Sequence, residues 1–208
     1  YAMPFSVMQL ATLVLKALED ESERTTISHE ATRQLFAATG VLPGNVFVPE
    51  WTQFGLASYF ETPYGALYGG PGLVSWRHLV DFKYLNKTRK WDSKEVLQGV
   101  LTDRFFQVAR KTNAQHLEDK DNDKLTLKAT EDSMMARSTA WALVYYLVQQ
   151  KKLPQLMKYA AELSQLPSQL ARGALAAVVI RGPLHGGRRT IGGSLARALG
   201  RGLLVIEG

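Results

Sequence analysis

Residues 134–147 have the sequence MMARSTAWALVYYL, in which apolar side chains recur at helical spacing. A stretch of this kind, without glycine or proline, predicts a buried core helix. Working outward from it, the same periodicity predicts six further helices and hence a mainly α fold. The predicted ranges, including the helix that holds this stretch, are 4–20, 27–39, 48–60, 75–87, 93–111, 131–151 and 154–165.

Capping residues and loop composition predict where these helices begin and end. Ser93 or Asp92 is expected to cap the fifth helix, and Thr130 the sixth. Residues 61–74 hold four glycines and two prolines, which predicts a loop. Residues 113–126, a polar run around EDKDND, are also expected to form a solvated loop.

Composition indicates an ordinary globular chain. It has 208 residues, of which 46% are hydrophobic, and no cysteine, so disulfides and thiolate metal sites are excluded. No run of 18 apolar residues is present, which argues against a membrane span. The first residue is Tyr1, which suggests a fragment. An export signal would then lie upstream, so the compartment, exported and cell-envelope locations included, stays open.

The positive charge is concentrated at the C-terminal end. Residues 1–170 carry 19 basic and 18 acidic side chains, whereas residues 171–208 carry six arginines and one glutamate. We therefore predict a domain at 1–170 and an Arg/Gly-rich tail at 171–208 that is disordered or foreign to the domain and dispensable for folding. Nucleic acid is an unexpected partner for the body, although the tail could contact phosphate.

The motif that bears on chemistry is ISHEATRQLFAATG, residues 27–40. His29 and Glu30 lie early in a predicted helix. A zinc peptidase of the HExxH type places a second histidine four residues after the first, on the same helix face, with the glutamate as general base. Here that position is Arg33, so the pattern is HExxR.

Two further runs follow in order, WTQFGLASYFE at 51–61 and WALVYYL at 141–147. Together with HEATRQL, they resemble the gluzincin (thermolysin-like) clan of metallopeptidases. The closest likeness is to a bacterial gluzincin-like domain family of unknown function, which shows HExxHQL, WxxEGLAxYFE and a WALVxFL-like run. The resemblance covers roughly residues 25–165. It implies a zincin-like helical lobe, here a fragment without the upstream sheet.

The resemblance implies roles for four positions. His29 stands at the first zinc ligand and Glu30 at the general base. Arg33 replaces the second ligand and Phe54 replaces the third, which is a glutamate in the family. Catalytic zinc normally has three protein ligands and a water. We therefore expect no zinc and no other cofactor, and regard His29 and Glu30 as vestigial.

Four other side chains are candidates to replace the two lost zinc ligands. Glu50 and Glu61 lie on the same helix face as Phe54, but about 6 Å and 10 Å along the axis, so either would need a rearranged backbone to act as a ligand. His78 and His116 are candidates from elsewhere, and His78 is expected at the surface or an interface.

Two tyrosines and the substituted residues complete the predicted cleft. Tyr145 and Tyr146 are expected to be able to reach it, where gluzincins often stabilise the oxyanion. Arg33 either pairs with Glu30 and lies on the face of Phe54, or it points to solvent while Phe54 is core.

Three functions follow from these observations. The favoured one is a pseudopeptidase, a metallopeptidase-like scaffold kept for binding a peptide, a protein segment or the rest of its own chain. The second is a zinc peptidase with substituted ligands. The third is a nucleic-acid-associated protein that acts through the basic tail.

Overall fold

The computed structural model describes residues 7–44, 46–64, 69–89, 92–172 and several positions between 192 and 200. The seven long helices of this part of the chain are α1 (Val7–Ala38), α2 (Glu50–Phe60), α3 (Trp76–Arg89), α4 (Ser93–Leu101), α5 (Arg104–Glu118), α6 (Asp123–Gln149) and α7 (Leu153–Ala171). The described residues contain no strand, only an isolated antiparallel bridge between Tyr64 and Gly69. The predicted mainly α fold is confirmed.

Helix α6 lies at the centre of the domain and packs against α2, α3 and α5. Its buried face carries small residues and a few large apolar ones, as predicted for a core helix: Ala136, Ala140, Trp141 and Val144. Small residues let neighbouring helices approach closely. The core around α6 is completed by Leu56 and Trp51 of α2, Val100 of α4, and Leu156 and Ala160 of α7.

The approach between α2 and α6 is closest at Gly55. A Cβ atom placed there would lie 2.6 Å from Cγ2 of Val144 and 2.7 Å from the carbonyl oxygen of Ala140. Only glycine therefore fits at this helix crossing. The crossing fixes how far Phe54 and the end of α2 reach towards α1 and α3.

The N-terminus of α2 is capped by a side chain from a distant part of the chain. Asp103, between α4 and α5, accepts hydrogen bonds from the backbone N–H groups of Glu50 (2.9 Å) and Trp51 (3.0 Å). The residue at the cap position, Pro49, supplies no side-chain bond. Asp103 thus satisfies two helix-end donors that would otherwise be buried without partners.

Several predicted boundaries are wrong. The helix predicted at 4–20, whose residues 4–6 lie outside the described part of the chain, and the helix predicted at 27–39 belong to one helix, α1. The residues between them include no glycine or proline that would break it. The helix predicted at 93–111 is broken into α4 and α5 at Asp103, whose φ is 55°. Asp92 caps α4, as one of the two alternatives predicted, through a bond from the N–H of Lys94.

The predicted loop at 113–126 is mostly helical. Helix α5 continues to Glu118 and α6 starts at Asp123, capped by Asn122 and not by Thr130. Only residues 119–122, inside the charged run EDKDND, lie between the two helices. By contrast, the described residues of the predicted loop at 61–74 are not helical.

Most of the predicted tail lies outside the described residues. Among those that are described, Leu195 is buried, with 5% of its surface exposed. The boundary at residue 170 stays a prediction. In the described part of the chain, every helix is too short or too polar to cross a membrane.

Candidate functional site

A buried glutamate connects two histidines from different helices. Glu61, directly after α2, lies 2.7 Å through Oε2 from Nδ1 of His29 on α1. Its Oε1 lies 2.8 Å from Nε2 of His78 on α3. All three side chains are buried. This group, the His29–Glu61–His78 triad, joins three helices at one point.

The triad holds Glu61 in its ionised form. Burial by itself raises the pKa of a carboxyl group, but the hydrogen bonds from His29 and His78 and their charge lower the pKa of Glu61 to about 2. A carboxylate only accepts hydrogen bonds, so Nδ1 of His29 and Nε2 of His78 are the donors. The remaining nitrogen of His78, Nδ1, is buried with no hydrogen-bond partner among the described residues.

Phe54 covers the triad. Its ring centroid lies 4.7 Å from that of His29 and 5.9 Å from that of His78. The guanidinium of Arg137, on α6, lies 5.8 Å from the centroid of the Phe54 ring. Of the two alternatives for Arg33, the one that places it on the face of Phe54 is not what the structure records, since the cation found over that ring is Arg137.

Arg33 contacts Glu30, as in one of the two alternatives for this side chain. Its Nη1 atom lies 3.1 Å from Oε1 of Glu30, three residues earlier on α1. The side chains are 46% and 52% exposed, so solvent screens the pair and its contribution to stability is small. The pair nevertheless gives the Glu30 carboxylate a cationic partner one helical turn away.

A cleft of about 310 Å³ opens beside the triad, between α1, α3, α5 and α6. Four arginines line it, namely Arg33, Arg77, Arg110 and Arg137. A second cavity of about 340 Å³ lies between α3, α5 and α6 and also contains Arg77 and Arg137. The two cavities are therefore parts of one groove, which we call the α3/α5/α6 groove, with these two arginines at its middle.

The remaining predicted site residues lie in other surroundings. Glu50 forms an ion pair with Arg110 at the edge of the cleft and does not join the triad. Tyr145 stacks on Trp141 at 5.2 Å, and Tyr146 is 59% exposed. Neither tyrosine lines the cleft or the second cavity, so the prediction that they reach the cleft is wrong.

His78 and His116, which lie outside the motif, occupy defined positions. The expectation of a surface position for His78 is wrong, since 5% of the residue is exposed and it bonds Glu61. His116 lines the second cavity, where its Nδ1 lies 3.2 Å from the hydroxyl of Thr126. The two histidines thus lie on different sides of the groove.

The residues at the implied zinc positions do not fit the metal. The second position carries a guanidinium bonded to Glu30, and the third carries a phenyl ring packed on His29. Neither group donates a lone pair to zinc. Within the described ranges, no three His, Asp or Glu side chains are grouped so that they could hold an ion.

Sequence reasoning missed Arg77, Arg137 and Asp103. A signal existed for Arg137, because it is a lone charge inside the apolar run MMARSTAWALVYYL. A charge in such a run either lines a cavity or marks the exposed edge of the helix. Arg77 and Asp103 had no comparable signal, since their roles depend on how helices distant in sequence meet.

The structure is a helical domain with an arginine-lined groove, and the His29–Glu61–His78 triad lies beside that groove. The chain belongs to the family described as "Protein of unknown function (DUF1570)", whose profile matches residues 23–168. No curated protein and no solved structure matches the chain. The family description gives no activity, so the gluzincin likeness stays a prediction.

Proposed function

We propose that this domain binds a peptide or protein segment in its groove without hydrolysing it, on a metallopeptidase-like scaffold. The observation that carries the proposal is the contact between Arg33 and Glu30, 3.1 Å between Nη1 and Oε1. On the gluzincin alignment, the residue at the second ligand position neutralises the residue at the general-base position. Arg33 and Glu30 are therefore paired with each other.

The neighbouring substitution supports the same conclusion. A general base in a zinc peptidase needs a metal-bound water to deprotonate, and that water needs a ligand set to hold the metal. Phe54 stands at the third ligand position and packs at 4.7 Å against the ring of His29. The residues that would build a hydrolytic centre therefore bind one another in this chain.

The dimensions of the groove favour binding. Ligand sites in proteins commonly measure about 300–1,000 Å³ and combine apolar walls with a few polar groups. The cleft of about 310 Å³ is lined by the apolar side chains of Phe54, Phe106 and Ala136 as well as by the four arginines. The adjoining cavity of about 340 Å³ lengthens it. The two cavities share Arg77 and Arg137, so a chain segment that extends from one into the other would contact both.

The experiment measures binding and cleavage on the same samples. The full chain is titrated into fluorescein-labelled peptides of varied sequence, with binding followed by anisotropy and peptide integrity by mass spectrometry, with and without added zinc. We expect binding of intact peptides. Zinc-dependent cleavage would overturn the proposal in favour of a peptidase with substituted ligands.

Two matched variants on α5 locate the binding. Asn113 lines both cavities, whereas Gln115 lines neither. Both side chains are exposed, so tryptophan at either position should leave the fold intact. Asn113→Trp should fill the groove and abolish peptide binding, and Gln115→Trp should bind as the wild type does. Equal binding by the two variants would place the interaction outside the groove.

A further inference from the structure

We infer that the ligand of the α3/α5/α6 groove carries a carboxylate, recognised by Arg77 and Arg137. This inference rests on the proposed function, and it names the chemical group that a non-hydrolytic groove would select. Neither arginine belongs to the motifs that suggested the scaffold. The argument comes from charge pairing, from the position of the two guanidiniums and from the surface around them.

Pairing separates the four arginines of the cleft into two kinds. Arg33 is bonded to Glu30, and Arg110 to Glu50. Arg77 and Arg137 form no ion pair with any residue that the structure describes. Within the described residues, these two cations therefore retain hydrogen-bond donors that no acid engages.

Two acids lie near the two arginines, and neither forms an ion pair with them. Glu61 is buried and already accepts hydrogen bonds from two histidines. Asp81 lines only the second cavity, and burial raises the pKa of its carboxyl group although His78 and Arg77 lower it. The described residues that line the two cavities include four arginines and three carboxylates, Glu30, Glu61 and Asp81. An anionic group placed between Arg77 and Arg137 therefore gains electrostatic energy from two guanidiniums that form no ion pair with the described residues.

The position of the arginines selects a small planar anion. Arg77 extends from α3 and Arg137 from α6, and both line both cavities. Arg137 lies over the face of Phe54, a contact that restricts the guanidinium to one side of the ring. A guanidinium offers two parallel N–H donors whose spacing matches a carboxylate.

The rest of the surface argues against a nucleic acid. Binding of a phosphate backbone needs a stripe of many cations, because affinity grows with the number of phosphates neutralised. Residues 1–170 carry only one more basic than acidic side chain, so the body as a whole has little net attraction for a phosphate backbone. Two unpaired arginines in a groove with a partly apolar lining fit one carboxylate on a peptide.

A carboxylate can come from an acidic side chain or from a C-terminus, and the test distinguishes these sources. Three fluorescein-labelled peptides share one framework. The first has glutamates and an amidated end, the second has glutamines and a free C-terminal carboxylate, and the third has glutamines and an amidated end. The full chain is titrated into each, and anisotropy is recorded at low and high salt.

We expect the first or second peptide to bind about tenfold or more tightly than the third, because charge-assisted hydrogen bonds exceed neutral ones. Arg137→Ala and Arg77→Ala should each weaken that binding about tenfold. Arg137→Lys should weaken it by less, since lysine keeps the positive charge but lacks the two parallel N–H donors of the guanidinium. Arg104→Ala is the matched control, because Arg104 is an exposed arginine that pairs with Glu95 and lines neither cavity.

Each contrary result has a separate meaning. Equal binding of all three peptides, unchanged in Arg137→Ala, would overturn the carboxylate inference and leave the proposed function in place. Failure of every peptide to bind, or zinc-dependent cleavage, would overturn both. Stronger competition by a single-stranded oligonucleotide than by the glutamate peptide would overturn the inference in favour of a nucleic-acid ligand.

Discussion

Nδ1 of His29 donates a hydrogen bond to Oε2 of Glu61 across 2.7 Å. Histidines that bind metals usually donate one ring N–H to a carboxylate, which orients the other nitrogen towards the ion. His29 has this arrangement, although Phe54 packs on its ring at 4.7 Å. The contact also ties α1 to the end of α2. It is therefore a structural bond at a position where the implied scaffold has a ligand.

Replacing Glu61 by glutamine should destabilise the protein strongly. The neutral amide removes the buried charge that His29 and His78 both contact. Removing one charged partner from a buried ion pair typically lowers the free energy of unfolding by about 3–5 kcal/mol. Urea unfolding of Glu61→Gln checks this. The matched control is Glu131→Gln, whose partner Arg89 is 38% exposed. It should cost less than about 1 kcal/mol.

Two buried carboxyl groups should give opposite pH dependences. The pKa of Glu61 is lowered to about 2 in the folded state, so its stabilisation is complete above its unfolded value of about 4.3 and is lost as pH falls towards 2. Burial raises the pKa of Asp103 to about 6, against the backbone N–H bonds it accepts. Its ionisation therefore lowers stability as pH rises from about 4 to 6.

Variants separate the two effects. Urea unfolding between about pH 2.5 and pH 7 should show a shallower acid loss in Glu61→Gln than in the wild type. Asp103→Asn should show a smaller decline between about pH 4 and pH 6, although it is less stable throughout because an amide accepts only one of the two backbone bonds. A wild-type profile that is flat over both ranges would contradict both assignments.

Most helices could be predicted from the sequence, because the helical repeat of apolar residues and the absence of glycine and proline are local signals. The core helix around Trp141 is the clearest case. The predicted boundaries are wrong at 113–126, where the polar run predicts one long loop but only residues 119–122 lie between α5 and α6. The break at Asp103 has a different origin. Its left-handed backbone places the carboxylate on α2, which is a tertiary requirement.

The site was predicted only in part for the same reason. His29, Glu30 and Arg33 lie within one turn of α1, so their proximity follows from helix geometry. The sequence offered no means of joining His78 to Glu61, since their contact depends on how α3 crosses the end of α2. Spacing along the axis of α2 suggested that Glu61 was displaced from the motif, yet its side chain reaches His29 directly.

Gly55→Ala should destabilise the domain by about 1–3 kcal/mol, the usual cost of overpacking. The added Cβ would lie 2.7 Å from the carbonyl oxygen of Ala140, a backbone atom of α6 that can move only with its helix. Thermal unfolding measures the effect. Gly44→Ala is the control, because no atom lies within 4 Å of its added Cβ. Equal melting temperatures for the two variants would show that α2 and α6 are not in close contact.

Zinc affinity should rise when both lost ligands are restored together. Arg33→His places a second imidazole four residues after His29, on the same face of α1. Phe54→Glu places a carboxylate on α2, where the present ring lies 4.7 Å from the ring of His29. Each single variant still lacks one ligand, and Phe54→Glu alone would pair with a nearby arginine. The gain in the double variant should therefore exceed the combined single gains.

Competitive titration against a zinc-binding dye measures this affinity in the wild type, both single variants and the double. The matched control is Arg33→His with Phe54→Gln, which keeps the size of the side chain but removes the carboxylate charge that zinc prefers. Adding Glu61→Gln to the double variant should weaken binding about 10–100-fold, since the carboxylate behind His29 would be lost. If the double variant binds zinc no better than the wild type does, the alignment of Phe54 with the third ligand is wrong. The metallopeptidase-like scaffold would then lose its main support, whereas the arginine-lined groove would remain to be explained by its own ligand.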